Sequence, residues 1–276
     1  MNRAARAQSS PANDNSVPDD RVKSSAPLGE PAAAGTSRTS VFIVASPRTR
    51  VGKTFLARLL IDFLRHDRGD PVAFDLNPNG DALTDYFPGL ARPIDLGDIN
   101  GQMAMFDRLI EADGRAKIVD VSHASFGRFF TISQEIGFFR EAARRSIEPV
   151  ILYAADPHRV AVNAYAELRQ RFRRALLVPV FNDAILKGTK VREDFPFSRA
   201  VEVPLHLSTL SPMLKAQIER SRHSFADVHG RLPLGIPIGL AFELHAWTRR
   251  TFLQFRELEL RLLLKTLRAS LPGIRF

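Results

Sequence analysis

From residue 41 onward, short unbroken apolar runs alternate with longer stretches whose apolar positions recur every three or four residues. The runs at 41–45, 72–76, 116–121, 149–154, 175–181 and 201–207 predict strands. The stretches at 54–65, 99–112, 129–145 and 158–172 predict helices between them. Strands that read as continuous apolar runs, each separated from the next by a crossover helix, belong to a mostly parallel sheet covered on both faces. The expected fold class is therefore α/β in three layers. No internal repeat is visible.

The two ends depart from this alternation. Residues 1–38 are rich in Ala, Ser, Pro and Asn, lack aromatic residues and carry five basic and four acidic side chains. Such a segment cannot bury enough apolar surface to offset its ordering entropy, which predicts a disordered arm. Its acidic residues, Asp14, Asp19, Asp20 and Glu30, argue against a transit peptide. At the other end, residues 240–270 form a helical pattern with two apolar stripes. One runs through Leu244, Trp247, Phe255, Leu258 and Leu262, the other through Leu253, Leu260, Leu264, Leu267 and Leu271. Two stripes leave the helix apolar over much of its circumference. Packing on the domain body, a dimer contact and a membrane-surface helix flanked by Arg249, Arg250, Arg256, Arg261 and Arg268 all remain open. The expected organisation is an arm at 1–38, a central domain at 39–235 and a helical extension at 236–276.

Composition narrows the chemistry. The chain has 276 residues and no cysteine, which excludes disulfides, cysteine nucleophiles and thiolate metal sites. No apolar run is long enough to span a bilayer, so the expectation is a cytoplasmic protein with no transmembrane segment. The formal net charge is +9, with 32 arginines against 7 lysines. Excess positive charge favours polyanionic partners such as DNA, although free use of arginine accounts for it equally well. The densest basic cluster is RQRFRRA, with Arg169, Arg171, Arg173 and Arg174. It reads either as a DNA contact or as a solvated helix end favoured by the helix dipole.

The candidate chemistry lies in ASPRTRVGKTFLARLLIDFL, which begins at Ala45. Gly52-Lys53-Thr54 stands where a buried strand turns into a helix. In that setting backbone N–H groups and the helix N-terminus cradle phosphates, a lysine reaches the β- and γ-phosphates, and the threonine hydroxyl holds Mg²⁺. The first glycine of the usual phosphate-loop motif is replaced by Pro47, and Arg48 and Arg50 occupy the turn. A chance tripeptide at an ordinary strand–turn–helix corner is the competing reading.

The loop resembles the deviant Walker A motif of the ParA/MinD class of P-loop ATPases, K-G-G-x-G-K-T. Arg48 stands at the signature lysine, and Thr49 and Arg50 replace two glycines. The loop is also similar to that of dethiobiotin synthetase, G-T-x-T-x-V-G-K-T, through Thr49, Val51 and Gly52-Lys53-Thr54. Further on, VAFDLNPNGDALTDYF resembles the ParA-type h-h-x-D-x-D-P-x-G-N segment. Asp75, Pro78 and Gly80 match, and Asn77 replaces the second aspartate. In AKIVDVSHASF, Asp120 ends a strand where Walker B proteins place the carboxylate that holds Mg²⁺ through water. The neighbouring His123 reads as a switch residue or a solvated loop histidine. In LLVPVFNDA, Asn182 takes the place of the asparagine that contacts adenine, and Asp183 is a rival. No N-K-x-D motif supports guanine. A fainter resemblance, over residues 74–109, is to plasmid-encoded ParA-like ATPases of conjugation and mobilisation operons.

The resemblance covers roughly residues 41–205. It implies a three-layer P-loop NTPase fold, ATP and Mg²⁺ as cofactors, and an ATP-dependent homodimer that binds DNA or a protein partner. It implies nucleotide contacts from Val51, Gly52, Lys53, Thr54, Phe55 and Asn182, Mg²⁺ at Thr54 and Asp120, and catalytic roles for Lys53, Arg48, Asp75 and Asn77. Arg48 would reach across the dimer. Because an amide at position 77 cannot accept a proton, hydrolysis is expected to be slow. Two other functions stay open: an ATP-dependent ligase or kinase acting on a small molecule, and a non-hydrolysing interaction module with a degenerate loop.

Overall fold

In the computed structural model, the described residues are 39–77, 82–186, 203–220, 225 and 236–270. The expected arm at 1–38, the motif residues Pro78 and Gly80, and Leu271 lie outside them. The elements in chain order are β1 (Ser40–Ala45), α1 (Lys53–Arg68), β2 (Val72–Asp75), α2 (Leu83–Tyr86), β3 (Ala91–Pro93) and α3 (Ile99–Leu109). They continue with β4 (Lys117–Asp120), α4 (Phe126–Glu135), α5 (Phe138–Arg144), β5 (Glu148–Ala154), α6 (Arg159–Arg171) and β6 (Leu176–Asn182). The last are α7 (Asp183–Leu186), β7 (Leu205–Leu207), α8 (Pro212–Arg220) and α9 (Ile238–Ser270).

The seven strands form one sheet in the order β3-β2-β4-β1-β5-β6-β7, and every pair is parallel. Alternate residues of β1 feed opposite faces. Phe42 and Val44 join the core under α1, α8 and α9, whereas Val41, Ile43 and Ala45 join the core under α3 to α6. This is the α/β sandwich that the apolar runs predict. Because all strands run one way, all their carboxyl ends lie along one edge. The connections reverse direction around β1: the chain leaves β1 for β2 on one side and later passes from β4 to β5 on the other. Such a reversal opens a crevice at the carboxyl ends of the strands, where ligands of open α/β sheets bind.

Three features go beyond what the periodicity states. The single helix expected over 129–145 is two, α4 and α5, because Gly137 sits at φ 67° and turns the chain between them. Strand β3 is only three residues long, too short to show an alternation. Helix α9 carries its two stripes to different environments. Leu244, Trp247, Phe255, Leu258 and Leu262 are buried, with Phe252 and Phe255 packed on Phe63 of α1 at 5.4 and 5.5 Å between ring centres. Leu253, Leu260, Leu264 and Leu267 are exposed. Among the described residues no helix is long and apolar enough to cross a membrane.

Helix α9 also closes the sheet edge. The Gln254 amide donates to the His206 carbonyl at 2.7 Å and accepts from the His206 N–H at 2.6 Å. One side chain thus satisfies part of the free edge of β7 as another strand would.

Candidate phosphate-binding site

Helix α1 begins without a side-chain cap. Its N-cap is Gly52, at φ 89°, and no acidic residue lies in its first turn, whereas Arg65, His66 and Arg68 lie in its last. The basic end complements the helix dipole. The amino end leaves N–H donors and partial positive charge unanswered, the arrangement that suits an anion. Gly52 is required there for two reasons. Its φ lies in the left-handed region, and a Cβ would stand 2.7 Å from Asn182 Nδ2.

Asn182, at the end of β6, is committed to the backbone. Its Nδ2 donates to the Val51 carbonyl at 3.4 Å, and its Oδ1 accepts from the Ala184 N–H at 3.1 Å. It lines the cavity, and it shapes the loop at Val51 and Gly52. Val51 itself is buried.

Lys53 is buried, and its ammonium donates to the Arg48 carbonyl at 2.5 Å, which draws the loop closed. Burial lowers its pKa, and the nearby Asp120 charge opposes the shift. Asp120, at the end of β4, is 1% exposed. Both its carboxylate oxygens are buried without a hydrogen-bond partner. Burial pushes its pKa up to about 7; the adjacent Thr54 hydroxyl lowers it, Asp75 raises it and Lys53 lowers it. The Thr54 hydroxyl is a close neighbour short of a formed hydrogen bond, since neither carboxylate oxygen has a partner in hydrogen-bond geometry.

A buried carboxylate with no partner is costly unless something else neutralises it. Asp120 and the Thr54 hydroxyl fit Mg²⁺, which takes one or two protein oxygens and completes its shell with water and phosphate. Among the described residues no group of three His, Asp or Glu side chains forms an all-protein cage for a metal ion.

Asp75 pairs in register with Asp120 across β2 and β4. Its oxygens accept from the Asn77 N–H at 2.9 Å and the Thr84 N–H at 3.2 Å. Burial raises its pKa, and these backbone bonds pull the other way. Asp75 therefore anchors both ends of the segment that connects β2 to α2. Asn77 faces the cavity.

The cavity holds about 630 Å³ and runs from the loop toward α8 and α9. Lys53, Thr54, Asn77, Asp120, Ser122 and His123 surround its polar end. Arg50 also lines the cavity, and the remainder includes Phe55, Arg58, Tyr86, Leu210, Ile218 and Trp247. Phe55 packs on Trp247 and Phe225 at 5.7 and 5.6 Å between ring centres. The buried Arg58 guanidinium lies 3.5 Å from the centre of the Tyr86 ring. Trp247 donates to the Ser208 carbonyl at 2.8 Å, which fixes the turn after β7.

The structure thus gathers Gly52, Lys53, Thr54, Phe55, Asn77, Asp120 and Asn182 around one cavity. Val51 and Asp75 support it from behind. Arg48 is not part of the lining: its Nε lies 3.8 Å from an Asp156 oxygen, just past β5. Sequence reasoning passes over Arg58, Tyr86 and Trp247, which carry no motif and meet only through the packing of α1, α2 and α9. No protein-family model matches this chain, and no curated protein matches it.

Proposed function

We propose that the protein binds ATP with Mg²⁺ in this cavity and works as a slow switch ATPase of the ParA/MinD type. In this reading two ATP-bound copies pair and engage DNA or a protein. The observation that carries the reading is the buried, unpartnered Asp120 carboxylate, set beside Thr54 and Lys53 at the uncapped start of α1. Lys53 exchanges a loop carbonyl for phosphate oxygens, a stronger charge-assisted bond. The α1 N–H groups hold the phosphates along the loop. Mg²⁺, held by Asp120 and Thr54, would neutralise charge on the β- and γ-phosphates.

Slow turnover follows from the β2–α2 segment. The amide of Asn77 cannot take a proton from the attacking water, whereas Asp75 is held in place by the Asn77 and Thr84 N–H donors. For a DNA contact, Arg169, Arg173 and Arg174 are exposed, whereas Arg171 is engaged with Glu167 and Gln134.

The length of the cavity supports a second reading. Its continuation past the loop, along Phe55, Arg58 and Trp247, suits a small-molecule acceptor, as an ATP-dependent ligase or kinase requires. ADP release that depends on an added metabolite would favour it over DNA-stimulated turnover. Absence of any turnover would favour a non-hydrolysing module.

Titration of native protein and Lys53→Ala with labelled ATP and GTP, with and without Mg²⁺, tests the central claim. ATP should bind in a Mg²⁺-dependent manner and the variant should lose most of that affinity. Equal affinity in the two proteins overturns the assignment.

A further inference from the structure

The two loop arginines point to different roles. Arg48 lies against Asp156 and outside the cavity lining. Arg50 is exposed and lines the cavity together with Lys53, Thr54 and Asp120. Among the described residues it has no hydrogen-bond or ion-pair partner. Its backbone is at φ 58°, one of two described non-glycine residues with positive φ. That region crowds a Cβ against the following carbonyl, and arginine lacks the short polar side chain that lets Asn or Asp tolerate it.

The loop therefore keeps a strained residue whose side chain earns no compensating contact within the described protein. Retained strain of this kind is characteristic of ligand clamps. Beyond the loop the lining is largely apolar at Phe55, Leu210 and Trp247, its Arg58 guanidinium is stacked on the Tyr86 ring and its Lys215 is paired with Glu219, so the anionic end of a ligand belongs at Lys53 and Arg50, beside Thr54 and Asp120. A guanidinium presents a planar fork of donors that matches the oxygens of a phosphate.

We propose that Arg50 acts within its own chain as a clamp on the terminal phosphate, and so selects nucleoside triphosphate over diphosphate. The proposal rests on the nucleotide reading above and adds to it the residue that senses the γ-phosphate. It gives the loop a cation inside the cavity while Arg48 stays paired with Asp156 at its margin.

The test uses Arg50→Gly and Arg50→Lys in the full chain. Affinity for a slowly hydrolysed ATP analogue and for ADP, both with Mg²⁺, is measured by calorimetry at concentrations where light scattering reports monomers. Thermal melts are recorded in parallel. Arg50→Gly should weaken the triphosphate analogue by about tenfold or more, the usual weight of a charged hydrogen bond, and leave ADP within about twofold. The same variant should melt higher than the native protein, since glycine relieves the positive φ. Arg50→Lys should recover part of the triphosphate affinity.

Unchanged analogue affinity in Arg50→Gly, with native protein that binds normally, overturns the Arg50 assignment and leaves the nucleotide reading intact. Equal losses for analogue and ADP overturn the selectivity. A loss confined to conditions where scattering reports dimers overturns action within one chain. Native protein that binds neither nucleotide overturns both this proposal and the function on which it rests.

Discussion

Asp120→Asn separates the cost of the buried carboxylate from everything else in the site. The native side chain is 1% exposed, neither oxygen has a partner, and its pKa stands at about 7 against an ordinary 3.8. The folded value lies above the unfolded one, so the folded protein holds this proton more tightly. The associated stability is fully present below the unfolded pKa and is lost as pH rises through the folded pKa. A gap of about three units, at about 1.36 kcal/mol per unit, sets the full loss near 4 kcal/mol. Asparagine has nearly the same shape and does not titrate. In thermal or urea melts without Mg²⁺ or nucleotide, the native protein should lose stability between about pH 4 and 8, with a slope no steeper than about 1.36 kcal/mol per pH unit from this group. Other titrating groups are shared, so the difference between native and variant reports Asp120 together with its coupling to Lys53 and Asp75. At about pH 8 the variant should melt higher, by about 2–4 °C for each kcal/mol recovered. Mg²⁺ with ATP should narrow the gap by stabilising the native protein more than the variant. Parallel pH profiles for native and variant protein would refute the reasoning, because the carboxylate would then be solvated or paired in the fold.

Two further substitutions probe the elements around it. On the proposed reading Asn77→Asp should raise ATP turnover, measured as phosphate release, because it supplies a carboxylate at position 77; a fast native enzyme slowed by the change would show that position 77 does not face the attacking water. Gly52→Ala should lower stability by about 1–3 kcal/mol from its positive φ alone, with more from the Asn182 amide that a Cβ would meet at 2.7 Å. Nucleotide affinity should fall with it, and a variant with native melting and native affinity would show that the loop has another conformation.

The sequence by itself determined the architecture and singled out residues that meet at one cavity. Unbroken apolar runs such as Val41-Phe42-Ile43-Val44 can be satisfied only by a strand covered on both faces, and they recur with helical spacers, so a parallel α/β sheet follows from local pattern. Gly52-Lys53-Thr54 after such a strand, and Asp120 at the end of another, were legible for the same reason: their positions are set by strand ends. Only the tertiary structure decided how the side chains divide the work. Arg48 and Arg50 are equivalent in charge, and the neighbouring Asp156 together with the sign of one φ angle separates them. Asp75 and Asn182 sit where the pattern put them, but bonds to Asn77, Thr84, Val51 and Ala184 spend their polar atoms on backbone. Trp247 joins Phe55 in the cavity wall across most of the chain, a contact that no local spacing encodes. The two leucine-bearing stripes of α9 read alike in sequence, and one is buried only because α1 and β7 lie beneath it. Periodicity reports which faces are apolar, whereas the partner that covers a face depends on elements far away in the chain.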